Sequence, residues 1–307
     1  MSVRTLSACP YTAAMNWTVV TPIDYFTALV AEDEGFALTE AAVSIAQDEY
    51  PDLDVQHVLT EMDALALSLR KHLSVDDSPL QRVRVLHQFF FEECAFACNQ
   101  KDYYNPANSY VHEVLRTRRG IPITLAVIYL ELAGQIGLIA DGVSFPGHFL
   151  IRLRLPLGDA IIDPTSGTSL SKEAMGERLE PYLQPSVGLP AYSLADYLRA
   201  AAPREVMARL LRNLESIYRG REDWQRLLAV QGRLVNLQPE AWERYRDRGL
   251  TLARLGHNDA AIQDLGVYLQ HAEEAPDWAR IDEQWQLLRA VRQDHTAHRS
   301  IRSTRWR

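Results

Sequence analysis

Two residues able to do acid–base chemistry together stand near the middle of the chain, His148 and Asp163. The segments His148 to Leu153 and Gly158 to Asp163 read as antiparallel strands joined by a four-residue loop, Arg154 to Leu157, with Pro156 inside it. That register sets Arg152 against Asp159, Leu150 against Ile161 and His148 against Asp163. Directly opposed side chains share a face with Cβ atoms about 4.5–5.5 Å apart, so an imidazole and a carboxylate meet. A carboxylate-held imidazole serves as a general base for a thiol or hydroxyl nucleophile; without one it is a hydrogen-bonded core pair.

The elements that must position this pair are mostly helical. Leu38, Ala41, Ala42, Ile45 and Ala46 recur at helical spacing up to Tyr50-Pro51, and Val58 to Leu73 repeats the period. Pro79 then permits a helix from Leu80 to Ala97. Residues 103–120 supply turn signals and a short helix ending at Gly120. Ile121 to Ile136 is apolar nearly all round, so it must be buried on every side, with Pro122 suited to its first turn and Gly137 closing it. From Val143 the period changes to that of strands.

After Pro181, Pro185, Pro190 and Pro203 the sequence repeats weakly every 34 residues. Gly249, Gly256, Ala261, Leu265 and Leu269 fall on tetratricopeptide positions, Pro239 closes the preceding repeat, and Leu211, Leu214, Tyr218, Trp224 and Leu228 hold its apolar places. About three repeats are normally needed for independent stability, so this pair should dock on the N-terminal part or on another copy.

Other constellations carry weaker signals. His87, Cys94 and Cys98 share one face of the expected helix, but a metal would need a fourth ligand, and buried cysteine is an ordinary small hydrophobe; no metal site is assigned. Thr124 offers a hydroxyl in the first turn of the apolar helix, or simply a helix-start residue. Asn108, Ser109 and Tyr110 either line the cleft or form a turn and N-cap. On the repeat register, Arg209, Arg212, Arg219 and Arg246 take inner-face positions, where they suit the carboxylates of an acidic peptide or stand as a solvated or self-neutralised face.

A nucleophile-bearing helix start, a His strand and an Asp strand, in that order, is the layout of papain-like cysteine chemistry. Asn108-Ser109-Tyr110, Arg118-Arg119-Gly120-Ile121-Pro122-Ile123, Phe145-Pro146-Gly147-His148-Phe149-Leu150 and Asp163-Pro164-Thr165 together resemble the SirB family of bacterial transglutaminase-like proteins, from about Phe26 through the last repeat. The resemblance implies a transglutaminase-type fold and a Cys, His, Asp order of catalytic residues. His falls on His148, Asp on Asp163, and the cysteine on Pro122, which has neither a nucleophile nor a backbone N–H. It also implies a regulatory association.

Composition bounds the rest. With 307 residues, 47% hydrophobic and 23% charged, the chain can build a real core and should hold about two domains. No apolar run is long enough for a membrane helix, the start reads as no signal peptide, and three cysteines suit a reducing cytoplasm. Residues 1–80 carry a net charge of −10 and residues 289–307 a net of +5. Without a glycine-rich phosphate loop, paired CxxC or aromatic-interleaved basic stripe, no cofactor is assigned and nucleic acid is disfavoured. The expected architecture is α+β and mostly helical: an extension (1–21), helices (22–102), a transglutaminase-like core with a small antiparallel sheet (103–200), a tetratricopeptide pair (204–290) and a basic tail (291–307). The expected function is non-catalytic binding or regulation of a protein or peptide partner. The rivals are a hydrolase or acyl transferase using His148 and Asp163 with an unidentified nucleophile, and an assembly scaffold built on the repeats.

Overall fold

The computed structural model describes residues 21–32, 35–183 and 193–304, with side chains to 292. Nearly all of the expected N-terminal extension lies outside those bounds, as do the side chains of most of the expected basic tail. Thr21 and Asp24 form a capping box that starts α1 (Pro22–Leu29). Next come α2 (Leu38–Ser44), which tightens into a 3-10 turn at Ile45–Asp48, and α3 (Val55–Arg70), whose first amides bond the Asp54 carboxylate. A second capping box, Ser78 with Gln81, opens α4 (Pro79–His87).

The helix expected to run to Ala97 does not reach Cys98. It widens into a π turn at Gln88–Glu93, and Ala95 takes a left-handed φ of 55°, which ends it. Cys98 instead lies in β1 (Ala97–Cys98), so His87, Cys94 and Cys98 do not share a helical face. After a 3-10 turn at Pro106–Ser109 comes α5 (Val111–Thr117), which stops at Arg118 with φ 59° rather than at Gly120. Gly120 belongs to β2 (Arg119–Gly120), paired in parallel with β1 so that Cys98 faces Gly120.

The buried helix is α6 (Pro122–Gln135), in which every residue from Pro122 to Tyr129 is buried, as its all-round apolar sequence requires. Gly137, at φ 76°, turns the chain into the sheet, where a side chain would be strained. β3 (Ala140–Val143), β4 (Leu150–Leu153) and β5 (Ala160–Ile162) form an antiparallel sheet with β4 central. β4 pairs with β5 through Ile151 and Ile162, Arg152 and Ile161, Leu153 and Ala160. This register is two residues away from the expected one, because the connection is longer, with Gly158 at φ 125°. An even shift keeps every side chain on its face, so His148 and Asp163 remain on the same side although neither lies in a strand.

Beyond α7 (Lys172–Leu179) lie the helices α8 (Pro203–Gly220), α9 (Trp224–Leu237), α10 (Trp242–Arg254), α11 (Asn258–His271) and α12 (Trp278–Thr304). The molecule is therefore mostly helical with a small antiparallel sheet, followed by tetratricopeptide-type helices. One hydrophobic cluster runs without a break from Phe26 through α6 to Leu210, Leu214, Leu227 and Leu237. Leu265, Tyr268, Leu269 and Ile281 form a separate cluster. The first helical pair thus docks on the N-terminal part, as a short repeat array requires, and the apolar boundary falls between α9 and α10. Arg233, with no exposed surface, fastens α9 to the 3-10 turn through bonds of 2.7 and 2.8 Å to Asp48.

Candidate functional site

The turn after β3 carries Phe145-Pro146-Gly147-His148, closed by a bond from the His148 amide to the Phe145 carbonyl. Gly147 sits at φ 67°, and a Cβ there would overlap the Tyr182 ring, so glycine lets the phenol lie directly over the turn. Asp163 opens the turn after β5, where its Oδ1 accepts from the backbone amide of Thr165 at 2.9 Å and from its hydroxyl at 2.6 Å. The two turns meet through His148 Nε2 and Asp163 Oδ1, 3.1 Å apart, and Arg178 donates to Oδ2 at 2.8 Å. Burial works to raise the Asp163 pKa, but bonds from His148, Thr165 and Arg178 outweigh it and hold the carboxyl far below its usual range. The carboxylate is a fixed anion that orients the imidazole through Nε2 and leaves Nδ1 for the opposite side.

Pro122, the residue on which the expected cysteine falls, is the first residue of α6, following the N-cap Ile121. Its ring supplies no attacking atom and no N–H donor. Thr124, one turn in, is fully buried with its hydroxyl unpartnered, which seals it from substrate. Cys98 is half-buried on the ladder beside Gly120, and burial first and the Asp163 carboxylate second push its thiol up. A neutral thiol is a poor nucleophile. The Cys94 thiol is likewise raised, mainly by burial. Among the described residues, no group of three or more His, Cys, Asp or Glu side chains could hold a metal ion.

Asn108, Ser109 and Tyr110 are all buried fasteners, and Tyr110 also borders a cavity of about 250 Å³ with Asp48, Glu49 and Arg226. The Asn108 amide donates to the carbonyls of Asp102 and Tyr103 at 2.7 and 3.1 Å. Ser109 Oγ accepts from Asn213 at 2.9 Å, and the Tyr110 hydroxyl meets that of Tyr218 at 2.7 Å. Ser109 and Tyr110 lock the core onto α8, Asn108 fastens its own loop, and the N-cap of α5 is Tyr110.

The four inner-face arginines divide. Arg246 is neutralised by Asp247 at 2.8 Å and Asp277 at 3.1 Å, and Arg219 pairs with Glu215 at 2.8 Å. Arg209 bonds Ser144 Oγ and the Phe145 carbonyl at 2.8 and 2.9 Å, which ties α8 to the His148 turn. Arg212 is exposed and has no ion-pair partner among the described residues. Sequence reasoning missed Arg178, Tyr182, Arg233 and Arg244, because each acquires its role from a partner that only the tertiary fold brings near. The helical half also carries a groove of about 660 Å³ between α10 and α12, floored by Trp224, Leu227 and Leu250. No described helix is long and apolar enough to cross a membrane.

Comparison with known proteins places these features in a family. The family model described as transglutaminase-like superfamily matches residues 56–212, and a tetratricopeptide repeat model matches residues 214–286. A UPF0162 protein of Xylella fastidiosa is 38% identical over 240 residues, spanning 78% of this chain and 85% of that protein. A UPF0162 protein of Pseudomonas aeruginosa is 30% identical over 246 residues, spanning 80% and 88%. The crystal structure of menin aligns over 87% of this chain and 73% of its own at a TM-score of 0.38 and 11% identity.

Proposed function

This chain belongs to the transglutaminase-like superfamily, with bacterial UPF0162 proteins among its relatives, and from that premise we propose that it is a non-catalytic member that binds and regulates a protein partner. The reading is supported by two features together: Pro122, on which the cysteine of the resemblance falls, is the first residue of α6 and offers no nucleophile, while the His148–Asp163 pair is intact. The pair then acts as a fixed polar element of a binding surface, and the tetratricopeptide helices supply the rest of that surface. A SirB affiliation and a reducing, cytoplasmic setting belong to the same proposal.

The preserved geometry of the dyad favours one rival, a cysteine-protease or transglutaminase-type hydrolase that recruits another nucleophile. Thiol-directed acyl probes separate the two. The expected result is no label on Cys94 or Cys98 that depends on His148, and a His148-dependent label only after Pro122→Cys. Labelling of a native cysteine that disappears in His148→Ala would falsify the non-catalytic reading.

A further inference from the structure

We propose that Arg209, Arg212 and Arg244 form a seat for the carboxylates of an acidic peptide segment on a partner protein. The inference rests on the protein-binding reading and names the chemistry of that partner. Arg209 and Arg212, three residues apart on α8, share a helix face, and Arg244 arrives from α10. Most arginines nearby own a carboxylate: Arg248 has Asp264 at 2.6 Å, Arg199 has Glu205 at 2.6 Å, and Arg246 has two. These three do not. Arg209 is spent on a hydroxyl and a carbonyl, with its head 5.7 Å over the Phe149 ring, so it is held in place yet not neutralised.

Arg244 reaches Glu215 only at 3.5 Å, and its Nε is buried with no partner. Glu215 is itself 5% exposed and already accepts from Arg219 at 2.8 Å and Gln231 at 3.2 Å. The carboxylates that face this line of guanidinium groups, Glu215 and, beside Arg212, Glu205, are each already bonded to another arginine, Arg219 and Arg199. Partial burial first and the neighbouring guanidinium second lower the pKa of Arg209, beside Arg212, and of Arg212, beside Arg244, where Glu215 and Glu205 act against the shift.

Guanidinium forks match carboxylates in plane and spacing, and a bound anion would satisfy the Arg244 Nε while relieving the mutual repulsion. A long polyanion fits less well, because Glu205 stands beside Arg212 and opposes an extended track of negative charge. Arg209 is tied to the turn that carries His148 through Ser144 and Phe145, and the Tyr182 ring lies over Gly147 of that turn. A short acidic segment laid along this line passes from the repeats to the dyad.

Fluorescence anisotropy on the full chain tests the seat with three probes: a labelled Asp/Glu-rich octapeptide, its Asn/Gln counterpart and an oligothymidylate. The acidic peptide is expected to bind and the amide peptide not. Arg212→Gln and Arg244→Gln should each weaken binding about tenfold, the loss of one charge-assisted contact, and Arg246→Gln should leave it unchanged. Because Arg212 is exposed and unpaired, its variant keeps the fold. Raising salt to roughly 0.3 M should also weaken binding, since the seat is partly screened. Equal binding of the two peptides, equal effects of the Arg212 and Arg246 variants, or tighter binding of the oligothymidylate overturns the proposal. His148-dependent cysteine labelling would defeat the non-catalytic reading while leaving the seat intact, so the two fail separately.

Discussion

Replacing Asp48 by alanine should cost far more stability than replacing Arg233 by methionine, although both break the same ion pair. The Arg233 side chain has 0% exposure and that of Asp48 has 28%. Without Asp48, the guanidinium keeps only the Pro22 carbonyl at 3.4 Å and the Phe26 ring at 5.0 Å. The guanidinium has no exposed surface, and an uncompensated buried charge costs about 3–5 kcal/mol. Without Arg233, Asp48 can turn to solvent, and methionine fills the space among apolar neighbours, so the change should lie within about 1–2 kcal/mol of zero. Against a total of about 5–15 kcal/mol, the first loss removes a large share and the second little.

Urea unfolding measures both. Trp224, Trp242, Trp278 and Trp285 all lie in α9 to α12, so tryptophan fluorescence reports chiefly on the helical half, and far-ultraviolet circular dichroism follows the whole chain. Asp48→Ala should lower the midpoint of the circular dichroism transition, because the pair fastens α9 inside the main apolar cluster. The double variant should recover most of the loss. Equal costs for the two single variants, or a cost for Asp48→Ala below about 1 kcal/mol, would refute the desolvation argument.

Three further outcomes follow from the same contacts. Asp163 has a carboxyl pKa lowered by folding, so its contribution is fully present above the unfolded value and is lost as pH falls through the folded one. Acid unfolding followed below about pH 4 should therefore flatten in Asp163→Asn relative to the parent, and unchanged steepness counts against the linkage. Gly249→Ala places a Cβ 2.8 Å from Leu265 Cδ2, inside a buried contact between α10 and α11. It should destabilise by about 1–3 kcal/mol in thermal melts, and a neutral result means that Leu265 repacks freely. Gly147→Ala combines a strained φ of 67° with a clash against Tyr182. Its cost should be about 1 kcal/mol or more, with a changed Tyr182 ring signal by NMR, and an undisturbed Tyr182 would argue against the packing.

The parts of this fold legible in the sequence are those with local causes. α6 announced itself because an unbroken apolar stretch, opened by Pro122 and shut by Gly137, has nowhere to go but the interior. The dyad was legible despite a wrong register, since a two-residue slip preserves the side of the sheet. Cys98 was misplaced because a left-handed alanine and a π turn leave no compositional trace. Arg233 and Asp48 stand 185 positions apart, and Arg178 reaches Asp163 only after α7 folds back, so neither pairing could be read from spacing. The arginine face was legible as a pattern, but which members stay unpaired depended on carboxylates contributed by other helices.

The continuity of the apolar interior from Phe26 to Leu237 governs where the chain can be cut. A fragment ending near the prolines at 181–203 would shed α8 and α9, strip Leu210, Leu214 and Leu234 from their neighbours, and precipitate. A fragment ending after Pro239 would lose only the segment that owns its private cluster around Leu265 and Ile281, and should still express as a soluble body. Evolution meets the same geometry: helices past α9 can be added, swapped or trimmed with little penalty, whereas the pair before it is bound to the fate of the whole.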